Sequence, residues 1–186
     1  MRRWTAAAGL LVAAPAAADC PAPRSLAEAR AALAAAEAAA RAGDKAFAEK
    51  VQQLRAAAGC LAEPADPALA SGLHRMSGLV AHRDGDLPAT LGHFLAARRA
   101  EDGPGPLPGV DLSGAEVGEA WASLELGAAR LEPVARPEGW ALVLDGRPAD
   151  ARARGLPALA QWGPVDSAGA ISTIAVSAVL SATDPL

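Results

Sequence analysis

Side chains with reactive chemistry are few. Beyond its carboxylates, the 186-residue chain offers three histidines (His74, His82, His93) and two cysteines (Cys20, Cys60). His74 and His82 are eight residues apart, about two helical turns. If the following helix runs back antiparallel, His93 comes level with His74 and a two-histidine site is conceivable. No carboxylate or cysteine stands at ligand spacing beside them, so structural or solvated histidines are the expectation. His82 also sits where a helix C-terminus favours a cation. Asp84-Gly85-Asp86 lacks the spaced ligands and closing Glu of a calcium loop. The Gly/Pro-rich stretch 103–109 lacks the Lys-Ser/Thr of a phosphate loop, and there is no G-x-S-x-G elbow. No catalytic, metal or cofactor-binding residue is therefore expected.

The cysteines have a clearer reading. In an antiparallel helical hairpin the start of the first helix lies beside the end of the second. Cys20 precedes one and Cys60 closes the other, so a disulfide can form. It would close a loop of about 40 residues, worth about 4 kcal/mol on chain-entropy grounds. Arg136, Arg147, Arg152 and Arg154 gather near the C-terminal end. They read as a solvated basic face, or as contacts to an anionic envelope polymer.

Composition bounds the rest. The net charge is -4, and 52% of residues are hydrophobic but only 3% aromatic. Alanine accounts for 51 positions and isoleucine for two. This excludes a disordered acidic tail and a disulfide-rich miniprotein, and argues against a nucleic-acid partner. Residues 1–18 have the form of a secretory signal peptide: Arg2 and Arg3, an apolar stretch from Ala6 to Ala14, and Ala16-Ala17-Ala18 before the cut. The apolar run is too short to span a bilayer, so no membrane span is expected after cleavage. Asp19 before Cys20 disfavours lipidation of that cysteine. Cleavage would bring the net charge to about -6.

From Ser25 to about Ala129 the apolar spacing is helical. Ser25-Leu26-Ala27-Glu28 is a capping box that opens a helix running to about Ala42. Phe47, Val51, Leu54, Ala58 and Leu61 mark a second helix, closed by Pro64. Asp66-Pro67 opens a third, with Leu69, Leu73, Met76 and Val80 on its face. A fourth shows Leu87, Leu91, Phe94 and Leu95. Ser113 to Glu116 is a second capping box, before Val117, Trp121, Leu124 and Ala128.

The second hairpin resembles a tetratricopeptide repeat. Gly78 stands at that family's small close-approach position, Gly85-Asp86 at its inter-helix turn, and Phe94 and Ala97 at its large and small packing positions. Ala81 and Thr90 depart from the pattern, and the two Gly-Asp turns lie 42 residues apart against a period of about 34. The likeness covers residues 69–102 well and 26–61 loosely. It implies protein–protein interaction.

After about Leu131 the pattern changes. Pro133, Arg136 and Pro137 read as a linker. Trp140–Leu144, Leu156–Trp162 and Ile171–Leu180 read as strands, with Asp145-Gly146 as a hairpin turn. Pro137-Glu138-Gly139-Trp140 followed by Val143-Leu144-Asp145-Gly146 resembles the opening of a PEGA-type β module, a family that decorates exported proteins. Trp121, Trp140 and Trp162 are candidates for the seam with the helices.

The expected fold class is thus α+β: about five tetratricopeptide-like helices over 19–130, after the signal peptide, and a small antiparallel PEGA-like β module over 131–186. The expected function is an exported, periplasmic or extracellular, non-catalytic interaction module with a protein or peptide partner, presented on a concave helical face. The alternatives are an envelope-polymer binder using the arginines, and a histidine-based metal site or enzyme.

Overall fold

The computed structural model describes residues 20–101, 107, 116–171 and 173–184. The segment expected to be a signal peptide, Ser113 and most of the Gly/Pro-rich stretch lie outside these. The described chain is α+β, with five helices followed by two small antiparallel sheets.

Helix α1 (Leu26–Ala42) begins on the reciprocal Ser25/Glu28 capping box and ends at Gly43. The Ser25 hydroxyl and the Glu28 carboxylate each take up a backbone amide the helix leaves unpaired. Helix α2 (Phe47–Ala58) buries Phe47, Val51, Leu54 and Ala58, at the expected spacing. Helix α3 (Pro67–Arg83) starts on Asp66, whose carboxylate accepts from the Leu69 amide, with Pro67 in the first turn. It is buried along its whole upper length, from Leu69 to Leu79. Helix α4 (Leu87–Ala100) is capped by Asp86. Its buried face is Thr90, Phe94, Ala96, Ala97 and Ala100. The expected face was partly wrong: Leu87 is 57% exposed, and Leu91 and Leu95 are only half-buried. Small residues win that face because α4 lies close against α3. Helix α5 is short, Glu116–Ser123. Leu124 and Ala128, expected on its face, fall after its end.

Alanine and glycine set the helix spacing. A Cβ added at Gly72 would come within 2.5 Å of Leu33 on α1, and one at Gly78 within 2.5 Å of the Phe94 ring. Close backbone approach thus replaces bulk in this core.

The main sheet has the order β3-β2-β5-β6, all antiparallel, with β2 Trp140–Leu144, β3 Arg147–Ala149, β5 Ala158–Pro164 and β6 Val176–Leu180. A separate ribbon pairs β1 (Leu131–Pro133) with β4 (Ala151–Ala153). The expected linker therefore begins as a strand. Three strands have approximately the expected places, while β1, β3 and β4, at three residues each, carry too little alternation to be read from sequence. Asp145 and Gly146 form the β2–β3 turn with φ of 50° and 80°, which suits a tight hairpin. Gly146 is also pressed against the backbone of Asp66 and Pro67, where a Cβ would come within 2.4 Å.

Strand β5 is buried on both faces. Leu159 joins the helical core, whereas Ala160 and Trp162 belong to a second cluster with Val134, Leu142 and Leu180. The tryptophans do not form the seam. Trp121 packs edge-to-face on Phe94, ring centres 5.2 Å apart, and Trp140 and Trp162 lie on the far side of the sheet. The seam instead carries a buried polar group. Gln161 accepts from the Ala65 amide at 2.7 Å and donates to the Glu63 carbonyl at 3.0 Å. Beside it the Ser177 hydroxyl donates to the Ala58 carbonyl at 2.8 Å.

Candidate functional site

Cys20 and Cys60 are joined in a disulfide, with Cα atoms 5.4 Å apart. Arg24 and Leu61 make a parallel bridge beside it, with Arg24 N–H donating to the Cys60 carbonyl and Ala62 N–H to that of Arg24. A sulfur committed to a disulfide carries no lipid thioether, so the bonded form is not a lipoprotein anchored through Cys20.

The repeat-like positions fall together on the α3–α4 hairpin. Gly78 faces the Phe94 ring, Ala97 is buried one turn on, and Gly85 turns the chain with φ +77°.

The antiparallel hairpin brings His74 and His93 together, Nδ1 to Nδ1 at 3.3 Å. His82 lies in the last turn of α3, outside this contact. The partner that spacing did not reveal is Asp145, 71 residues downstream: its carboxylate meets His74 Nε2 at 2.9 Å and also accepts from the Leu159 amide at 2.8 Å. The positive-φ turn aims it there. His74 is fully buried and has both ring nitrogens engaged. Burial, then the His74 and Arg55 charges, push the His93 imidazole down to about 3, so it is neutral at physiological pH. Among the described residues no three His, Cys, Asp or Glu side chains are gathered to hold a metal ion.

A carboxylate only accepts, so His74 donates to Asp145 from Nε2. The Nδ1–Nδ1 contact places one proton between His74 and His93. His93 Nε2 makes no hydrogen bond among the described residues.

His93 lines a cavity of about 410 Å³, with Arg55, Asp86, Gly92, Pro157 and Thr183 among the other walls. Arg55, in the last turn of α2, makes no hydrogen bond or close ion pair with a described residue. Burial lowers its guanidinium below the ordinary value, and Asp184 partly offsets this. Sequence reading passed over Arg55. The available signal was its place one turn after Val51 and beside Leu54, on the flank of an apolar face.

The four C-terminal arginines are not one basic face. Arg152 is buried and donates to the carbonyls of Leu156, Asp184 and Ser181. Arg136 pairs with Asp150 and Arg154 with Glu132. No described helix is long and apolar enough to cross a membrane.

No family model, no curated protein and no solved structure matches this chain.

Proposed function

We propose that this chain is an exported, non-catalytic interaction module of the cell envelope, a helical-repeat-like scaffold with a PEGA-like sheet built onto it. One observation carries the non-catalytic reading: among the described residues the one histidine paired with a carboxylate, His74, is sealed in the core with both nitrogens bonded. No reacting atom can reach it. The disulfide suits an oxidising compartment outside the cytoplasm.

The protein's own sheet packs on the α2–α3 connection and the start of α3, through Gln161 and Gly146, and reaches His74 of α3 through Asp145. The partner surface of this reading is the helical face that the sheet leaves open. The test is expression of the full chain with its leader, followed by N-terminal sequencing and affinity capture of the exported product. Cleavage after Ala18 and saturable capture of one envelope protein are expected. Retention inside the cell, or capture no better than with the unfolded, reduced chain, overturns the reading.

A further inference from the structure

His74 on α3 and His93 on α4 face each other through Nδ1, 3.3 Å apart. Their ring centres lie 5.6 Å apart, farther than the nitrogens by about two ring radii. The lone-pair axes of the two Nδ1 atoms are therefore close to collinear. The gap between them is a linear seat with a nitrogen at each end, filled by one bridging proton.

The far side of His74 is arranged as that of a metal-bound imidazole is. Its Nε2–H donates to the Asp145 carboxylate at 2.9 Å, which is itself fixed by the Leu159 amide at 2.8 Å. A carboxylate on the distal N–H orients an imidazole and raises the basicity of its other nitrogen. His93 is the half that can move. Its ring borders the cavity of about 410 Å³ beside α2 and α4. With His93 in place nothing reaches His74; a swing of the His93 ring into that space opens the way.

Collinearity selects the ion. A tetrahedral or octahedral ion needs ligands that converge at an angle, and more of them. No third His, Cys, Asp or Glu side chain is gathered here among the described residues. Two opposed imidazoles suit a two-coordinate ion, the geometry that monovalent copper adopts, and imidazole is a ligand copper accepts. Metal–imidazole bonds of about 2 Å put the nitrogens about 4 Å apart, so the rings need to part by less than an ångström. Charge agrees with this choice. Asp145 offers one negative charge through His74. Arg55 faces His93 from α2, with Asp184 partly offsetting it. One added positive charge is matched by Asp145, whereas a divalent ion leaves a desolvated surplus beside a guanidinium.

We propose that His74 and His93 form a two-coordinate site for a monovalent, closed-shell metal ion, Cu(I), seated between their Nδ1 atoms. The ion replaces the bridging proton, which passes to His93 Nε2 or to solvent, and no electron is transferred. Held by both rings, the ion has no open position, so the site holds a metal and turns over no substrate. The inference goes beyond the interaction role proposed above and stands without it.

The test supplies the full oxidised chain with Cu(I) under argon, against a chromogenic Cu(I) chelator and without thiols, so that the disulfide persists. Ag(I), a redox-inert ion of the same charge and preferred geometry, is titrated in chloride-free buffer. One equivalent of each is expected to bind, to shift the ¹⁵N resonances of both Nδ1 atoms, and to show only a pair of nitrogen neighbours by X-ray absorption. Zn(II) binds at least roughly tenfold more weakly. His93→Gln loses affinity by roughly tenfold or more, whereas His82→Gln, outside the contact, keeps it. Failure of either monovalent ion to bind, sulfur or further nitrogen neighbours, equal affinity for Zn(II), or full affinity in the folded His93→Gln variant overturns the proposal. The ¹⁵N shifts and X-ray absorption of the unaltered protein decide the matter independently of any variant.

Discussion

The side-chain carbonyl of Gln161 accepts the Ala65 amide at 2.7 Å across 96 residues of sequence. This bond, with the Gln161 amide on the Glu63 carbonyl, ties an inner strand of the sheet, β5, to the α2–α3 connection. Replacing Gln161 by Leu strands a buried N–H and a carbonyl. A stability loss of about 2–4 kcal/mol is expected. Chemical denaturation followed by far-UV circular dichroism and tryptophan fluorescence checks it. Both probes should report one coincident transition in the parent, because helices and sheet share the seam.

Reducing the Cys20–Cys60 bond removes a constraint on the unfolded chain. A loss of about 4 kcal/mol is expected, seen as a lower denaturation midpoint with reductant. Cys60→Ser should show the same midpoint with and without reductant. Two reactive thiols in the native, oxidised parent would contradict the pairing.

The close contact at Gly78 predicts a penalty for the smallest addition. In Gly78→Ala the new methyl meets the Phe94 ring, and overpacking should cost about 1–3 kcal/mol, despite alanine's better helix propensity. At Gly43, where an added Cβ would meet nothing within 4 Å, the same change costs only the strain of a positive φ. Thermal melts of the two variants distinguish crowding from backbone strain.

The neutral His93 makes stability depend on pH. Its value in the folded state, about 3, lies below that of the unfolded chain. The unfolded state therefore binds the proton more readily as pH falls. The contribution is complete above about pH 6.5 and is lost progressively towards pH 3, by up to about 1.4 kcal/mol per pH unit. His74, Arg55 and Asp86 are the charged or titratable neighbours to watch. Denaturation midpoints between pH 7 and 4 should fall more steeply in the parent than in His93→Gln.

Legibility in the sequence followed the reach of each signal. Capping boxes and apolar spacing are local, and they located α1, α2 and α3 because Ser25, Asp66 and Phe47 act within a turn or two. The α4 face was misjudged for the opposite reason: with Gly78 opposite Phe94 the hairpin is so tight that Ala97 and Ala100 fit where leucines do not. The disulfide was legible because hairpin geometry alone brings its ends together. Asp145 on His74 was not, since it depends on how the sheet docks, which no local pattern encodes. The same holds for Gln161, visible only as a lone polar residue in an apolar strand, and for Arg55.

The disulfide beside the Arg24–Leu61 bridge also decides how the protein bears tension. A pull applied at Cys20 passes through the sulfur–sulfur bond straight to Cys60. The first helical hairpin lies between those residues in sequence but outside the line of load. At the other end a pull on Asp184 first meets the Arg152 guanidinium, which grips the carbonyls of Ser181 and Asp184. Load is thus directed into α3, α4 and the sheet, while α1 and α2 stay out of its line until the covalent link is cut.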